Sequence, residues 1–267
     1  MIMKNILPIA FFGATLIAAS WVSSALGDIV IINPNQDNSI YSENNNSNGA
    51  GPLFSGRTNT VPAVVLRRAL VAFDLTSIPS GSTVDSVTLS LTQLRSRAAT
   101  AEIYGLHRVS AAWGEGTSNG IGQGAAPTPG DATWNFRQFS TTNPLSWTTP
   151  GGDFAATSGI ATIGTANNTY TFSSQLGLVA DVQNWVNTPA SNFGWILMPE
   201  NETDNRDARE FGSRESALNQ RPTLTVNFTA VPEPGSLILL GAVALVASAY
   251  RSRRSHLRRV SCNKTLK

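Results

Sequence analysis

Thr83-Val84-Asp85-Ser86-Val87-Thr88-Leu89-Ser90-Leu91 is the stretch that decides the fold. From Val87 onward apolar and small polar residues alternate one for one, the period of a strand with one face on a core. Val84, Val87, Leu89 and Leu91 form the inward set. The phase slips by one residue at Asp85-Ser86, where a β-bulge would restore it. Just upstream, residues 64–73 (VVLRRALVAF) make the longest apolar run between residues 28 and 230, and 74–82 (DLTSIPSGS) is turn chemistry.

Working outward, the same grammar recurs: short β-prone runs punctuated by Gly, Pro, Asn and Ser. Residues 28–32 (DIVII), 39–41, 101–109 (AEIYGLHRV), 169–172 (TYTF), 193–198 (FGWILM) and 223–228 (TLTVNF) read as strands. The Asn-rich segments 33–38 and 43–51 read as loops. Residues 114–152 are Gly-, Pro-, Ser- and Thr-rich and too long for a bare connector, so one or two short strands are expected around Thr133-Trp134. Only 176–186 (LGLVADVQNWV) has helical spacing, through Leu178, Val179, Val182, Trp185 and Val186, and Asn187 and Pro189 stop it. This is the pattern of a β-sandwich or barrel. A β-helix would show a recurring coil motif, and the chain has no internal repeat.

The two ends have a different grammar. At the front, Lys4, an apolar run over 6–19 and small residues at Ala25 and Gly27 read as a signal peptide over 1–27. At the back, Pro232-Glu233-Pro234 refuses a helix. An uncharged run, 236–250 (SLILLGAVALVASAY), follows, then Arg251, Arg253 and Arg254. At about 1.5 Å per residue the 15 positions span about 22 Å, short of a bilayer core of about 30 Å, and the arginines mark its cytoplasmic side. In that order these parts resemble the PEP-CTERM sorting signal of Gram-negative bacteria. The resemblance implies an exosortase as partner, transient residence in the inner membrane, cleavage there and delivery to the cell surface or extracellular matrix. A plain tail anchor is the alternative. Residues 255–267 extend beyond the usual end of such a signal as a basic cytoplasmic tail.

Charge excludes some functions. Between 28 and 231 stand 11 arginines, no lysine and 16 acids, so the delivered domain is acidic although the whole chain has a formal charge of +2. Nucleic acid is therefore not an expected partner. Cys262, in the tail, is the only cysteine, so no disulfide is available and core burial must hold the domain together.

Further residues define a second resemblance. Residues 68–75 (RALVAFDL), 78–81, 87–91, Leu106-His107-Arg108-Val109, Trp113-Gly114-Glu115, Thr133-Trp134-Asn135, 147–153 (WTTPGGD), 181–185, 194–197, Arg209-Glu210-Phe211 and 221–224 follow one another as in DNRLRE-type domains. The resemblance covers most of 28–230. It implies an all-β, jelly-roll-like β-sandwich of the carbohydrate-binding-module kind, between the signal peptide and the sorting signal over 231–254, whose apolar run is the expected single transmembrane helix. Some relatives bind acidic polysaccharides. Near its name-giving stretch the chain departs, reading Asp204-Asn205-Arg206-Asp207-Ala208-Arg209-Glu210.

The candidate chemistry follows from residue types. Trp147, between prolines in a polar loop, and Trp134 are candidate flat platforms for sugar rings, whereas Trp185 and Trp195 read as core. Arg67, Arg137, Arg209 and Arg214 offer guanidinium forks for uronate carboxylates, with pairing to the acids as the competing use, and Arg68 reads as buried and paired. Glu200, Glu202, Asp204 and Asp207 cluster hard oxygens suited to a structural calcium ion, and Asn33, Asn35 and Asp37 repeat an every-second-residue spacing. His107 is the one histidine before the tail, which excludes a His/Cys zinc site. Nucleophile elbows, Walker loops and dinucleotide fingerprints are absent. The expected function is an exported, non-catalytic protein that binds or organises acidic polysaccharide. The alternatives are a purely structural glycosylated surface protein, or a lyase or hydrolase using His107 or Tyr104 as base, or carboxylates from Glu115, Asp131 and Asp153.

Overall fold

The computed structural model describes residues 27–58, 65–203, 208–231, 241, 243–248, 250 and 251. The alternating stretch becomes β5 (Thr83–Ser96), fourteen residues long and the spine of the molecule. Before it come β1 (Asp28–Ile32), β2 (Pro34–Tyr41), β3 (Leu53–Thr58) and β4 (Val65–Phe73). After it come β6 (Glu102–Val109), β7 (Phe136–Gln138), β8 (Leu145–Ser146), β9 (Phe154–Ile163) and β10 (Thr169–Phe172). Helix α1 (Leu176–Asn187) precedes β11 (Trp195–Pro199), β12 (Arg209–Phe211) and β13 (Thr223–Thr229).

All pairings are antiparallel. One curled sheet runs β1-β13-β5-β12-β3-β4-β11-β6-β9, with β10 also on β5 and β2 also on β4; β7 and β8 form a separate ribbon. The curl is consistent with a β-sandwich. It brings Val87 and Leu89 of β5, Leu224 and Val226 of β13 and Phe172 of β10 into one core with Val71 and Phe73 of β4, Trp195 and Leu197 of β11 and Leu106 of β6. Helix α1 adds Leu178, Val182 and Trp185 to that core. The Trp185 and Trp195 rings meet at 4.6 Å between centroids.

The inward set of β5 is buried as its alternation requires, and the slip is a bulge: Asn227 faces Ser86, the next residue Phe228 faces Val84, and Asp85 is the extra residue. Three expectations need correction. Residues 33–38 are mostly strand, because β2 starts at Pro34. There Asn38 and Asp37 are fully buried. The Asn38 amide donates to the carbonyls of Glu115 and Ala132 and its carbonyl accepts from Ser47 and the Asn48 N–H, so long-range hydrogen bonds override turn propensity. The short strands after Gly114 are β7 and β8, beyond Thr133-Trp134 rather than on it. Strands β3, β9 and β12 were not expected: β12 is only three residues, and β9 (FAATSGIATI) has too many small residues to show a period.

The signal-peptide expectation, apart from Gly27, lies outside the described residues, as do Pro232, Glu233, Pro234, Arg253 and Arg254. Of the expected sorting helix, residues 241, 243–248, 250 and 251 are helical, with Val243, Leu245 and Val246 exposed. Among the described residues no helix is long and apolar enough to cross a membrane.

Candidate functional site

The far end of β5 continues its alternation with arginines in place of apolar residues. Arg95 lies on the strand and Arg97 just beyond it, and both are exposed. Opposite them the curl delivers β12, with Ser96 facing Arg209 and Arg95 facing Glu210, and β12 in turn pairs with β3. Next to β3 lies β4, where Gly56 faces Arg67. Four strands remote in sequence thus converge on one cleft of about 710 Å³, lined by Phe54, Arg57, Thr58, Arg67, Arg95, Arg97, Ala208, Arg209 and Glu210, with Gly122 and Gln123 completing it. Among the described residues its lining holds five arginines and one carboxylate, a positive concavity on an acidic domain.

The arginines divide by their fixation. Arg209 is 1 % exposed and acts as a strut: its guanidinium donates to the carbonyls of Thr100, Ile163 and Gly164 and to the Tyr104 hydroxyl, and it lies 5.0 Å from the centre of the Tyr104 ring. It supplies a fixed positive field beneath the cleft. Arg67 is buried, pairs with Glu43 at 3.2 Å and lies over the Tyr41 ring at 5.4 Å. Burial pushes the Tyr41 phenol above its ordinary range, so it stays neutral under that guanidinium. The Arg67 Nε is a buried donor without a hydrogen-bond partner among the described residues. Arg57 Nη1 donates to the Thr203 carbonyl. Arg95 pairs with Glu210 at 2.5 Å with its own side chain 55 % exposed, and such surface pairs contribute about 0–1 kcal/mol. Arg97 makes no ion pair among the described residues. Arg95 and Arg97 are therefore the groups that an incoming anion can engage at least cost.

The structure scatters the residues expected from sequence. Arg67 and Arg209 meet in the cleft. Arg137 lies elsewhere and donates to the Ala112 carbonyl, and Arg214 grips Glu115 through Nε and Nη2, both at 2.9 Å. Trp147 is corrected from platform to core: it is 4 % exposed, packed with Ile40, Leu70, Trp113 and Ile196, and its Nε1 donates to the Thr133 carbonyl. Trp134 is half-buried and its ring is covered by Arg68, 4.9 Å from the centroid. Arg68 is itself held by Glu202 in a bidentate pair at 2.8 and 2.6 Å, paired as expected but half-buried rather than buried. The cleft residues missed from sequence are Arg57, Arg95 and Arg97. The one local signal for them was the two-residue spacing of Arg95 and Arg97 beyond the alternating stretch.

Of the four carboxylates expected to hold a calcium ion, the two that are described have partners within the protein. Glu202 is spent on Arg68, and Glu200 accepts from Thr157 and contacts His107 Nε2 at 3.1 Å; Asp204 and Asp207 lie outside the described residues. Asn35 and Asp37 lie in β2, and Asn33 is the single residue between β1 and β2. Among the described residues no group of three or more His, Cys, Asp or Glu side chains is placed to hold a metal ion.

The residues considered for catalysis are held in local networks. Tyr104 is fully buried and donates to the Ser55 carbonyl. His107 has its Nδ1 at Ala155 O and its Nε2 at Glu200. Asp131 accepts from the N–H groups of Thr128 and Ser118, Asp153 from those of Thr148 and Thr149, and Glu115 from Arg214 and the Asp37 N–H.

A second charged cluster lies apart from the cleft. Asp37, fully buried, accepts from the Arg214 N–H at 2.6 Å, and Glu115 and Glu215 flank the same arginine. Burial pushes the Asp37 carboxyl well above the usual aspartate range, against the lowering effect of that N–H, and burial raises Glu115 as well.

Where β13 ends, a recognised motif begins: residues 230–254 match the family model of the PEP-CTERM protein-sorting motif. No curated protein matches the chain. The motif indicates an exported, membrane-transiting chain sorted by an exosortase towards the cell surface.

Proposed function

We propose that the domain delivered by this motif is a non-catalytic module that binds or organises acidic extracellular polysaccharide at the surface or in the matrix of a Gram-negative bacterium. The observation that carries this reading is the arginine cleft. Uronate polymers present planar carboxylates at regular intervals, and guanidinium forks match them bidentately. Arg95 and Arg97 are exposed and weakly committed, while Arg67 and Arg209 are fixed below them. The resemblance to DNRLRE-type domains, with its jelly-roll sandwich and acidic-polysaccharide ligands, points the same way. Among the described residues the carboxylate that lines the cleft is that of Glu210, already paired with Arg95, and this favours a binding role over a catalytic one.

The test is binding of the detergent-solubilised full chain to polygalacturonate, with dextran as the neutral control. Exposed charge pairs contribute about 0.2–1 kcal/mol each, so Arg95→Ala with Arg97→Ala should weaken binding by roughly threefold to thirtyfold. Equal retention of polygalacturonate and dextran, or full binding by the double variant, refutes the proposal.

A further inference from the structure

The pairing registers place the sorting motif and the cleft at opposite ends of β5. Both chain ends leave the sandwich together, since Asp28 of β1 faces Phe228 of β13. Thr229, the last residue of β13, faces Thr83, the first residue of β5, and its hydroxyl donates to Asp85. The sorting motif starts at residue 230, and its apolar run starts at Leu237. The seven residues between reach at most about 25 Å when extended. The Thr83 end of β5 is therefore held close to the bilayer while the motif is uncut. At the other end of the same strand Ser96 faces Arg209 of the cleft. Thirteen residue steps at about 3.3 Å place that end about 40 Å away along the strand. Charge reinforces the polarity: exposed Asp28 and Asp85 mark the tethered end, Arg95 and Arg97 the distal end.

We infer that β5 acts as a spacer that points the arginine cleft away from the bilayer, so that the chain takes up a carboxylated polymer while it is still tethered, before its sorting motif is cut. The uptake rests on the function proposed above; the orientation rests on the registers and on the short link to the sorting motif. Polymer held at the distal end leaves the membrane-proximal segment open to the processing enzyme, so capture and release need not compete for space.

Two measurements on the full chain in phosphatidylcholine vesicles test this. A Cys262→Ser background carries one new cysteine for a fluorescent donor, either Asp85→Cys at the tethered end or Ala99→Cys just past β5, both exposed positions outside the cleft lining. Energy transfer to headgroup acceptors should be roughly threefold or more weaker from position 99 than from position 85, given about 36 Å along β5 between Asp85 and Ser96. Equal transfer overturns the orientation. So does stronger transfer from position 99 when phosphatidylglycerol is included, which would make the bilayer itself the anion that the arginines meet. Polygalacturonate affinity should agree within roughly twofold between vesicle-bound and detergent-solubilised chain. Loss of binding on vesicles alone overturns uptake before cutting. Absence of binding in both states refutes the proposed function and the uptake with it, while the label contrast still decides the orientation.

Discussion

Replacing Trp147 by alanine separates a ring that holds the domain together from one that holds a ligand. The ring is 4 % exposed and packs in a second apolar cluster with Ile40, Leu70, Val109, Trp113 and Ile196. A buried tryptophan removes some 150–250 Å² from water, which at about 25 cal/mol per Å² is about 4–6 kcal/mol, and measured Trp→Ala losses are about 3–5 kcal/mol. The indole N–H also satisfies the buried Thr133 carbonyl, which Trp147→Ala leaves without that donor. The working figure is thus about 4 kcal/mol. For a domain of this size about 1 kcal/mol shifts Tm by about 2–4 °C, so Trp147→Ala should lower Tm by about 8–16 °C. Trp147→Phe keeps most of the volume and loses the hydrogen bond, so its fall should be about a third as large. The assay is near-ultraviolet circular dichroism on heating, followed by polygalacturonate binding at a temperature where each variant is folded. Binding should persist. If Tm moved by less than about 2 °C while binding disappeared, the ring would be a sugar platform and the burial argument would be wrong.

Other expectations follow from the same geometry. Glu210 competes with any incoming carboxylate for Arg95, so Glu210→Gln should tighten polygalacturonate binding by about threefold to tenfold; unchanged or weaker binding in a retention assay would contradict the cleft's role. Because the folded chain holds the Asp37 proton more tightly than the unfolded chain does, this group makes stability fall as pH rises from the ordinary aspartate value into the raised folded value; a Tm-against-pH series should show that slope, and Asp37→Asn should flatten it. Two glycines should differ sharply in unfolding experiments. Gly194→Ala would put a Cβ 2.1 Å from the Val71 carbonyl oxygen at φ +71° and should cost about 3 kcal/mol or more, whereas at Gly105 the Cβ meets only side chains, Glu200 and His107 Nε2, and Ala should cost about 1–2 kcal/mol as their contact parts.

Local pattern was sufficient wherever one residue's neighbours along the chain decide its fate. The alternation of Val87, Leu89 and Leu91 specified a strand and its inward face, the slip at Asp85-Ser86 specified a bulge, and the spacing of Leu178, Val182 and Trp185 specified a helix face. The sorting motif is legible for the same reason: it is a continuous segment defined by order and charge. It failed where hydrogen bonds across the fold override propensity, as at Asn38, whose partners lie as far as Ala132 and turn an apparent loop into β2. It failed again at Trp147, a polar-loop residue that the fold turns inward.

What the sequence by itself determined, then, is the chemistry available: an exported chain and an acidic strand-built domain over 28–230 that has arginine and no lysine. What only the tertiary structure decided is which arginines act together. Arg57, Arg67, Arg95, Arg97 and Arg209 come from β3, β4, the end of β5 and β12, and no spacing along the chain predicts their meeting. Strand pairing sets that convergence, because the curl of the sheet lays β12 between β5 and β3 and so converts separate guanidinium groups into one positive concavity.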